Sequence, residues 1–410
     1  MKKLFYIKDS IENKISYFHL FFFLAALPFD RVYSTIILIS FLVHTLIFLR
    51  LEALKKINKT TLIPQLIFFV TIISATYSPS ISNSLNSISK QLAIFLFPIL
   101  FTITSLDLAS YRSRLMQALV ISCTLTVIYL YYDALHSIIY YKLPLKEILS
   151  LAFVNQNFSE PLDMHPTYLS MLIVLSIVFS LQQILSKSNK IINYFASSLI
   201  LFAGLIQLGS KSAFFALLAI IVFGFPRFLV KRENRFKFML SSMLASVLFV
   251  ISILSLDAFR NRFVITLKND LIGTKGIVNM NGRFDRWGIA IDLIKESPII
   301  GTGSGSEIPL LKESYFRQKM YGPYLFSLNA HNQYLSFMIN SGIAGLLIYL
   351  ATLSWGFWQS LRNQDILLFS FIILVTIVSF SEDLLDVNKG IFFYAFFFSF
   401  FIRSISKPVP

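Results

Sequence analysis

Cysteine is nearly absent from this 410-residue chain, and its single instance, Cys123, lies in an apolar run. That excludes a disulfide framework and a thiol-based metal site. Charge is scarce as well: 14% of residues are charged against 56% hydrophobic, with 43 phenylalanines. Soluble domains usually carry about a quarter charged residues, so this balance, with a mean hydropathy of +0.70, indicates a polytopic membrane protein. Acids are the scarcer sign, 21 against 36 Lys and Arg. The resulting charge of +15 does not point to nucleic acid, because the basic residues form no single patch. No D-x-D pair, no His/Cys cluster at metal-ligand spacing, no low-complexity tract and no internal repeat is visible.

What is present is a series of apolar runs. Taking about 17–25 apolar residues per span, with shorter ones tolerated, the chain contains about twelve candidate transmembrane helices. They lie near 15–29, 33–49, 62–77, 91–106, 115–132, 166–184, 191–209, 212–230, 238–256, 333–358, 365–381 and 388–405. Lys2, Lys3, Lys8 and Lys14 precede the first run, and a second starts just after Asp30-Arg31, so a retained first helix is expected rather than a cleaved signal.

Alternate connections are basic: Arg50, Lys55 and Lys56; Arg112 and Arg114; Lys187 and Lys190; Arg227, Lys231 and Arg232; Arg362; Arg403 and Lys407. By the positive-inside rule these are cytoplasmic, as are both termini. The organisation expected is one integrated, all-α membrane domain. It has helices over 1–256, an extracytoplasmic loop over 257–330 and the last three helices over 331–410. In the loop, Phe284, Trp287, Ile291 and Ile294 form the apolar stripe of a short helix, with Asp285, Arg286, Asp292 and Lys295 off it. A helix of that kind is expected at the membrane surface. Pro298 ends it, and Gly301 to Gly305 follow as a flexible turn or an anion nest.

Ionisable groups inside a membrane mark function by default. Here the span interiors hold His19 and His44 and almost nothing acidic, which argues against an ion-coupled transporter or flippase. The charges gather instead at the outer ends of spans: His165, Lys211, Arg283, Arg286, His331, Glu382, Asp383 and Asp386. That distribution suits a substrate with its lipid in the bilayer and its head outside. Guanidinium and ammonium groups at low dielectric suit a pyrophosphate, both bound and leaving. Lys211 also has a plain alternative, an interfacial lysine that snorkels. If a diphosphate is handled, protein cations rather than a metal are expected to neutralise it, and no cofactor is expected.

His331-Asn332, nine residues, Gly342, two residues and Gly345 together resemble the signature of the O-antigen ligases. Arg283-Phe284-Asp285-Arg286-Trp287, with Pro298-Ile299-Ile300-Gly301-Thr302-Gly303, resembles the upstream block of the same superfamily, which also holds O-antigen and capsule polymerases. The resemblance implies transfer of a glycan from undecaprenyl diphosphate to a sugar hydroxyl, with inversion, on the periplasmic face of the bacterial inner membrane. The implied acceptor is lipid A-core for a ligase, or a carrier-linked glycan for a polymerase. It also implies that Arg283 binds the diphosphate, with Lys211 and Arg286, and that His331 acts on the acceptor hydroxyl. Lys211 stands where relatives commonly have arginine, which keeps the charge and loses the fork. Asn332, His165, Trp287 and Glu382 are supporting residues on this reading. The stretch His165-Pro166-Thr167-Tyr168-Leu169-Ser170 resembles polymerase-like relatives.

Overall fold

The computed structural model describes residues 2–29, 31–188, 190–255, 257–274 and 280–405; Asp30 and Lys407 lie outside them. The described elements are helices, apart from a two-residue antiparallel pair, Gly273–Thr274 with Met280–Asn281. The main helices are α1 (Ile11–Ala26), α2 (Arg31–Ile47), α3 (Leu66–Ala75), α4 (Ile81–Ile103), α5 (Leu108–Tyr140), α6 (Pro166–Leu185) and α7 (Ile191–Leu208). Next come α8 (Lys211–Ala219), which continues through a π-turn and a short helix to Leu229, and α9 (Arg235–Leu254). The series ends with α10 (Thr266–Ile272), α11 (Arg283–Glu296), α12 (Glu307–Arg317), α13 (Gln333–Arg362), α14 (Ile366–Val378) and α15 (Asn388–Arg403).

Every apolar run expected to be a span is helical. Among the described residues seven helices are long and apolar enough to cross a membrane: α4 to α7, the Lys211–Leu229 rod, the segment Arg232–Ser252 and α13. Three shorter apolar helices, Val32–Ile47, Lys59–Ala75 and Ile366–Val378, accompany them. Seven is therefore the number of spans that length and composition support, against about twelve expected.

The centre of the bundle is α6, α14 and α15. From Pro166 to Ser180 every residue of α6 is buried, and α15 buries Phe392, Phe393, Phe396, Phe397, Phe398, Phe400 and Phe401. Phenylalanine suits this place because its rings pack against one another both stacked and edge to face and leave no polar atom to satisfy. Phe396, for instance, meets Phe23 at 4.9 Å and Phe97 at 5.4 Å between centroids.

Two boundaries differ from the sequence expectation for clear reasons. Helix α4 begins at Ile81, about ten residues before the apolar run, because Ser80 caps it through the Asn83 amide. Its first turns are polar, so hydropathy alone does not find them. Helix α13 is not one straight rod. Gly342 breaks it at φ 62° and ψ −164°, where the Ile343 and Ala344 amides turn to the Pro298 and Ile299 carbonyls at 2.9 and 3.3 Å. In return the Thr302 and Gly303 amides donate to Ile339 and Asn340 at 2.8 and 3.0 Å. A Cβ on Gly342 would lie 2.3 Å from the Ile299 carbonyl, and one on Gly301 would lie 2.5 Å from the Ser341 amide. The two glycine motifs are thus two halves of one joint. The Gly301–Ser304 amides are all spent within the fold, so this turn is neither a loose hinge nor an anion nest built from them.

Helix α11 ends at Glu296, as Pro298 predicts. Its inward face is not the expected stripe. Arg286, Ile289, Ala290 and Leu293 are buried, while Phe284 and Ile291 are exposed at 53% and 46%. Trp287 and Ile294 sit at the edge of a small core with Leu311, Tyr315 and Ile339. The expectation counted Arg286 as polar and outward, whereas it is buried by a hydrogen bond that sequence periodicity does not report.

Candidate functional site

The segment from Asn329 to Gln333 enters α13, and four side chains from three elements, α11, α12 and the α14–α15 loop, fix it. Arg286 Nη1 donates to the Asn329 carbonyl at 2.9 Å, and the Trp287 indole donates to the Ala330 carbonyl at 2.8 Å. The Ala330 amide donates to Glu307 Oε1 at 3.1 Å, and the Asn332 amide donates to Asp383 Oδ1 at 2.9 Å. Asn332 then caps α13, its side-chain oxygen accepting from the Tyr334 and Leu335 amides. These bonds hold His331 at φ 49°, a left-handed conformation costing roughly 1–3 kcal/mol for a non-glycine residue. A strained residue held from both sides by buried side chains is a common arrangement at functional sites.

The imidazole turns toward the loop between α14 and α15. His331 Nδ1 lies 3.5 Å from Glu382 Oε2, with the side chains 32% and 12% exposed. That is an ion-pair distance rather than a tight hydrogen bond. Glu382 is therefore not the solvated loop acid that its sequence position allows. Its other oxygen accepts from the Thr167 hydroxyl at 3.3 Å, and that hydroxyl is 3.4 Å from Ser210 Oγ. Burial pushes the Glu382 carboxyl up, but the His331 bond and the charges of His165, His331 and Arg283 outweigh it, so the group is held below its ordinary range. His165 caps α6, its Nδ1 accepting from the Thr167 amide at 3.4 Å. Burial holds its imidazole below the ordinary value; Glu382 opposes this, and His331, Arg262 and Arg283 add to it. Burial thus disfavours the charged form of His165 beside a carboxylate whose charged form is favoured.

Cations gather beside this pair. Arg283 opens α11, where Gly282 allows contact with the end of α10; a Cβ there would lie 2.2 Å from the Leu271 carbonyl. Arg283 Nη1 donates to the Ser381 carbonyl at 2.8 Å, next to Glu382. Lys211 Nζ donates to Asp270 Oδ2 at 3.2 Å. Arg262, which sequence reasoning did not single out, lays its side chain over Gly209, with Nε donating to that carbonyl at 3.4 Å. Its guanidinium and that of Arg283 act on Lys211, against the carboxylate of Asp270. Burial holds the Arg262 pKa below its usual value, which Asp270 offsets and Arg283 reinforces. Among the described residues, these partners leave the cluster net positive in a half-buried place, an arrangement that favours an anion.

The predicted site residues are therefore brought together, with one division. His331, Glu382, His165, Arg283 and Lys211 share this electrostatic neighbourhood, while Arg286, Trp287 and Asn332 hold the backbone that presents His331. Arg262 and Glu307 are the residues that sequence reasoning missed. Arg262 lies in a π-turn, Asn261–Ile265, and no motif marks it. Glu307 follows the glycine turn and reads as an ordinary helix-start acid.

Residues 196–350 match the family model described as O-antigen ligase. Over that stretch the chain is similar to the O-antigen ligase superfamily, and the match supports that family. The matched stretch contains Lys211, Arg262, Arg283, Arg286, Trp287, His331 and the whole glycine joint, whereas His165 and Glu382 lie outside it. No curated protein matches the chain. Superfamily members are glycosyltransferase-like ligases and polymerases, and the apolar helices agree with a multi-pass membrane protein.

Proposed function

We propose that this protein is a ligase-type glycosyltransferase that moves a glycan from undecaprenyl diphosphate to a sugar hydroxyl on the periplasmic side of the bacterial inner membrane. The acceptor on this reading is lipid A-core. The observation that carries it is the meeting of a cation cluster, Lys211, Arg262 and Arg283, with the His331–Glu382 pair at the end of a helix.

His331 presents Nδ1 to Glu382, so Nε2 is the nitrogen that accepts the acceptor's hydroxyl proton. The hydroxyl oxygen then bonds to the anomeric carbon from the face opposite the diphosphate. The bond from that carbon to the diphosphate oxygen breaks, and its electron pair leaves with the phosphate, inverting the centre. Glu382 stabilises the imidazolium as it forms, in the way a carboxylate serves a histidine base. Arg283, Lys211 and Arg262 meet the negative charge that grows on the departing diphosphate, which favours the transition state over the bound substrate. Arg286 adds positive field and holds Asn329, Asn332 and Trp287 keep the histidine in place, and His165 orders Thr167 beside Glu382. No metal or cofactor is needed for this scheme.

A polymerase that extends glycan on its carrier shares every step except the acceptor. One observation favours it: the His165–Ser170 stretch, similar to polymerase-like relatives, contacts Glu382 through Thr167. The lipopolysaccharide ladder of a deletion strain separates the readings. Bare core with carrier-linked chains accumulating supports the ligase, and a single repeat on the core supports the polymerase. An unchanged ladder with normal carrier turnover would sink both.

A further inference from the structure

Beyond the cation cluster, the Asn329–Gln333 segment also borders a cavity of about 430 Å³. Its walls combine α4, which the transfer scheme does not use, with the segment that presents His331 and the elements packed on it. Helix α4 gives Asn83, Asn86 and Lys90, and Glu307, Asn329 and Asp386 come from the other sides. The Gln333 and Asn340 amides and the Ser304 and Ser336 hydroxyls add to a lining that is mostly polar and uncharged, with the Phe337 ring as an apolar wall. The size is within the roughly 300–1,000 Å³ typical of small-molecule sites.

The lining selects a ligand class. A diphosphate or other anion would meet Glu307 and Asp386 with Lys90 as the opposing charge, the reverse of the balance around Lys211. A lipid chain would leave the amides without partners, at a cost of the order of 1–3 kcal/mol for each group left unsatisfied. Primary amides and carboxyls both donate and accept within one short side chain when the acid is protonated, and vicinal hydroxyls require that combination. Among the described residues the Asn83 and Asn86 side-chain amides carry no hydrogen bond, and that of Asn329 accepts from the His331 amide. Gln91 and Gln333 are different, since they tie Thr71, Leu385 and the α14–α15 loop together.

We propose that this cavity is a glycan subsite that grips uncharged, hydroxyl-bearing sugar units next to the reacting one. The proposal rests on the transferase reading and deepens it. Asn329 and Gln333 each lie two residues from His331, and two residues of extended chain reach at most about 7 Å. A sugar chain whose reacting unit is at His331 can therefore pass its neighbouring units to the cavity side. The gripped units belong either to the donor glycan or to the acceptor's sugar chain, since both present the same chemistry.

The test uses the purified full chain in detergent and two lipid-free probes: glycan released by mild acid from the lipid carrier of the producing cells, and the deacylated acceptor sugar chain. Saturation-transfer NMR reads binding of each. The parental protein should bind at least one of them, and the one it binds identifies the source. Ser87→Phe, which fills the cavity from the outer turns of α4, and Asn83→Ala, which removes one amide, should each weaken that binding tenfold or more. Farnesyl diphosphate, which carries the anion and no sugar, should bind both variants as it binds the parental protein. Neither sugar probe binding the parental protein, or both variants binding sugar as the parent does, would overturn the subsite. Loss of farnesyl diphosphate together with sugar in both variants, with melting temperatures unchanged, would mean that anion and sugar share one site and would overturn a separate subsite. Failure of the transferase reading is seen separately, as absent glycan transfer by a parental protein that still binds the sugar.

Discussion

Glu382 and Asp383 follow one another in the chain and are both buried, at 9% and 2% exposure. Burial pushes both carboxyls up, yet the outcomes are opposite. Glu382 is held below its ordinary range because His331, His165 and Arg283 surround it. Asp383 is pushed well above its range by burial, and then by the neighbouring acids Glu307, Asp386 and Glu382, against the bond from the Asn332 amide. A one-residue step therefore crosses from a place that favours negative charge to one that expels it. The Asn329–Gln333 segment lies on that line. Cations and the His331–Glu382 pair are on one side, and Glu307, Asp383 and Asp386 are on the other. The difference shows that an acid's neighbours, rather than its depth, decide whether it is a working carboxylate or a protonated hydrogen-bonding group.

Breaking the charged side should have the largest effects. His331→Ala is expected to reduce single-turnover transfer by roughly 10²–10⁴-fold, the usual contribution of a positioned general base, while the protein still inserts and folds. Near-parental turnover of a lipid-linked donor would remove His331 from the chemistry. Arg283→Ala should follow at about 10²-fold or more, the size seen for lost oxyanion stabilisers. Because the deficit belongs to the transition state, kcat should fall more than KM rises.

The Lys211 position gives a finer comparison. Lys211→Arg restores a fork and keeps the charge, so it should retain most activity, whereas Lys211→Ala should lose about tenfold or more. Arg262→Ala should lose a similar or smaller factor, and more in the Lys211→Ala background than alone if both cations face one anion. Simple additivity of the two substitutions in single-turnover rates would separate their roles. Equal rates for Lys211→Ala and Lys211→Arg would leave Lys211 as a snorkelling lysine.

Much of this was legible in the sequence, and the reasons are physical. Apolar runs mark helices because backbone groups in a bilayer must bond within their own segment, and all the expected runs are helical. The joint at Gly342 was visible as a motif because only glycine permits its positive φ and the contact with Ile299. His331, Arg283 and Trp287 stand out through the resemblance to the family signature, whose residues bracket that joint. Arg262 was invisible because its relation to Gly209 and Lys211 is tertiary, made by a π-turn that hydropathy does not encode. Apolar periodicity puts Arg286 off the buried stripe, whereas a hydrogen bond to the Asn329 carbonyl accompanies its burial in the structure. The polar first turns of α4, which line the cavity, are not legible in hydropathy, because the helix begins before its apolar run.

The smallest effect on transfer, and the sharpest test of the opposed environments, should come from Glu307→Gln measured by melting temperature against pH. Burial and the neighbouring Asp386 raise the Glu307 carboxyl from its ordinary 4.5 to about 7. A group whose folded pKa lies above its unfolded value contributes stability that is fully present below the unfolded pKa and is lost as pH rises through the folded one. The parental protein should therefore lose stability between about pH 4.5 and 7 as Glu307 is forced to ionise. Glutamine keeps an acceptor for the Ala330 amide and cannot ionise. Glu307→Gln should match the parent near pH 5 and melt higher near pH 8, with a residual slope from Asp383 and Asp386, which are raised in the same direction. Glu382→Gln should behave oppositely. Its carboxyl is lowered, so its contribution is present above the unfolded pKa and disappears as pH falls through the folded one; the variant should be less stable than the parent at pH 8 and approach it in acid. Parallel melting curves for Glu307→Gln and Glu382→Gln across this range would mean that the two acids share one environment, and the division along Asn329–Gln333 would not stand.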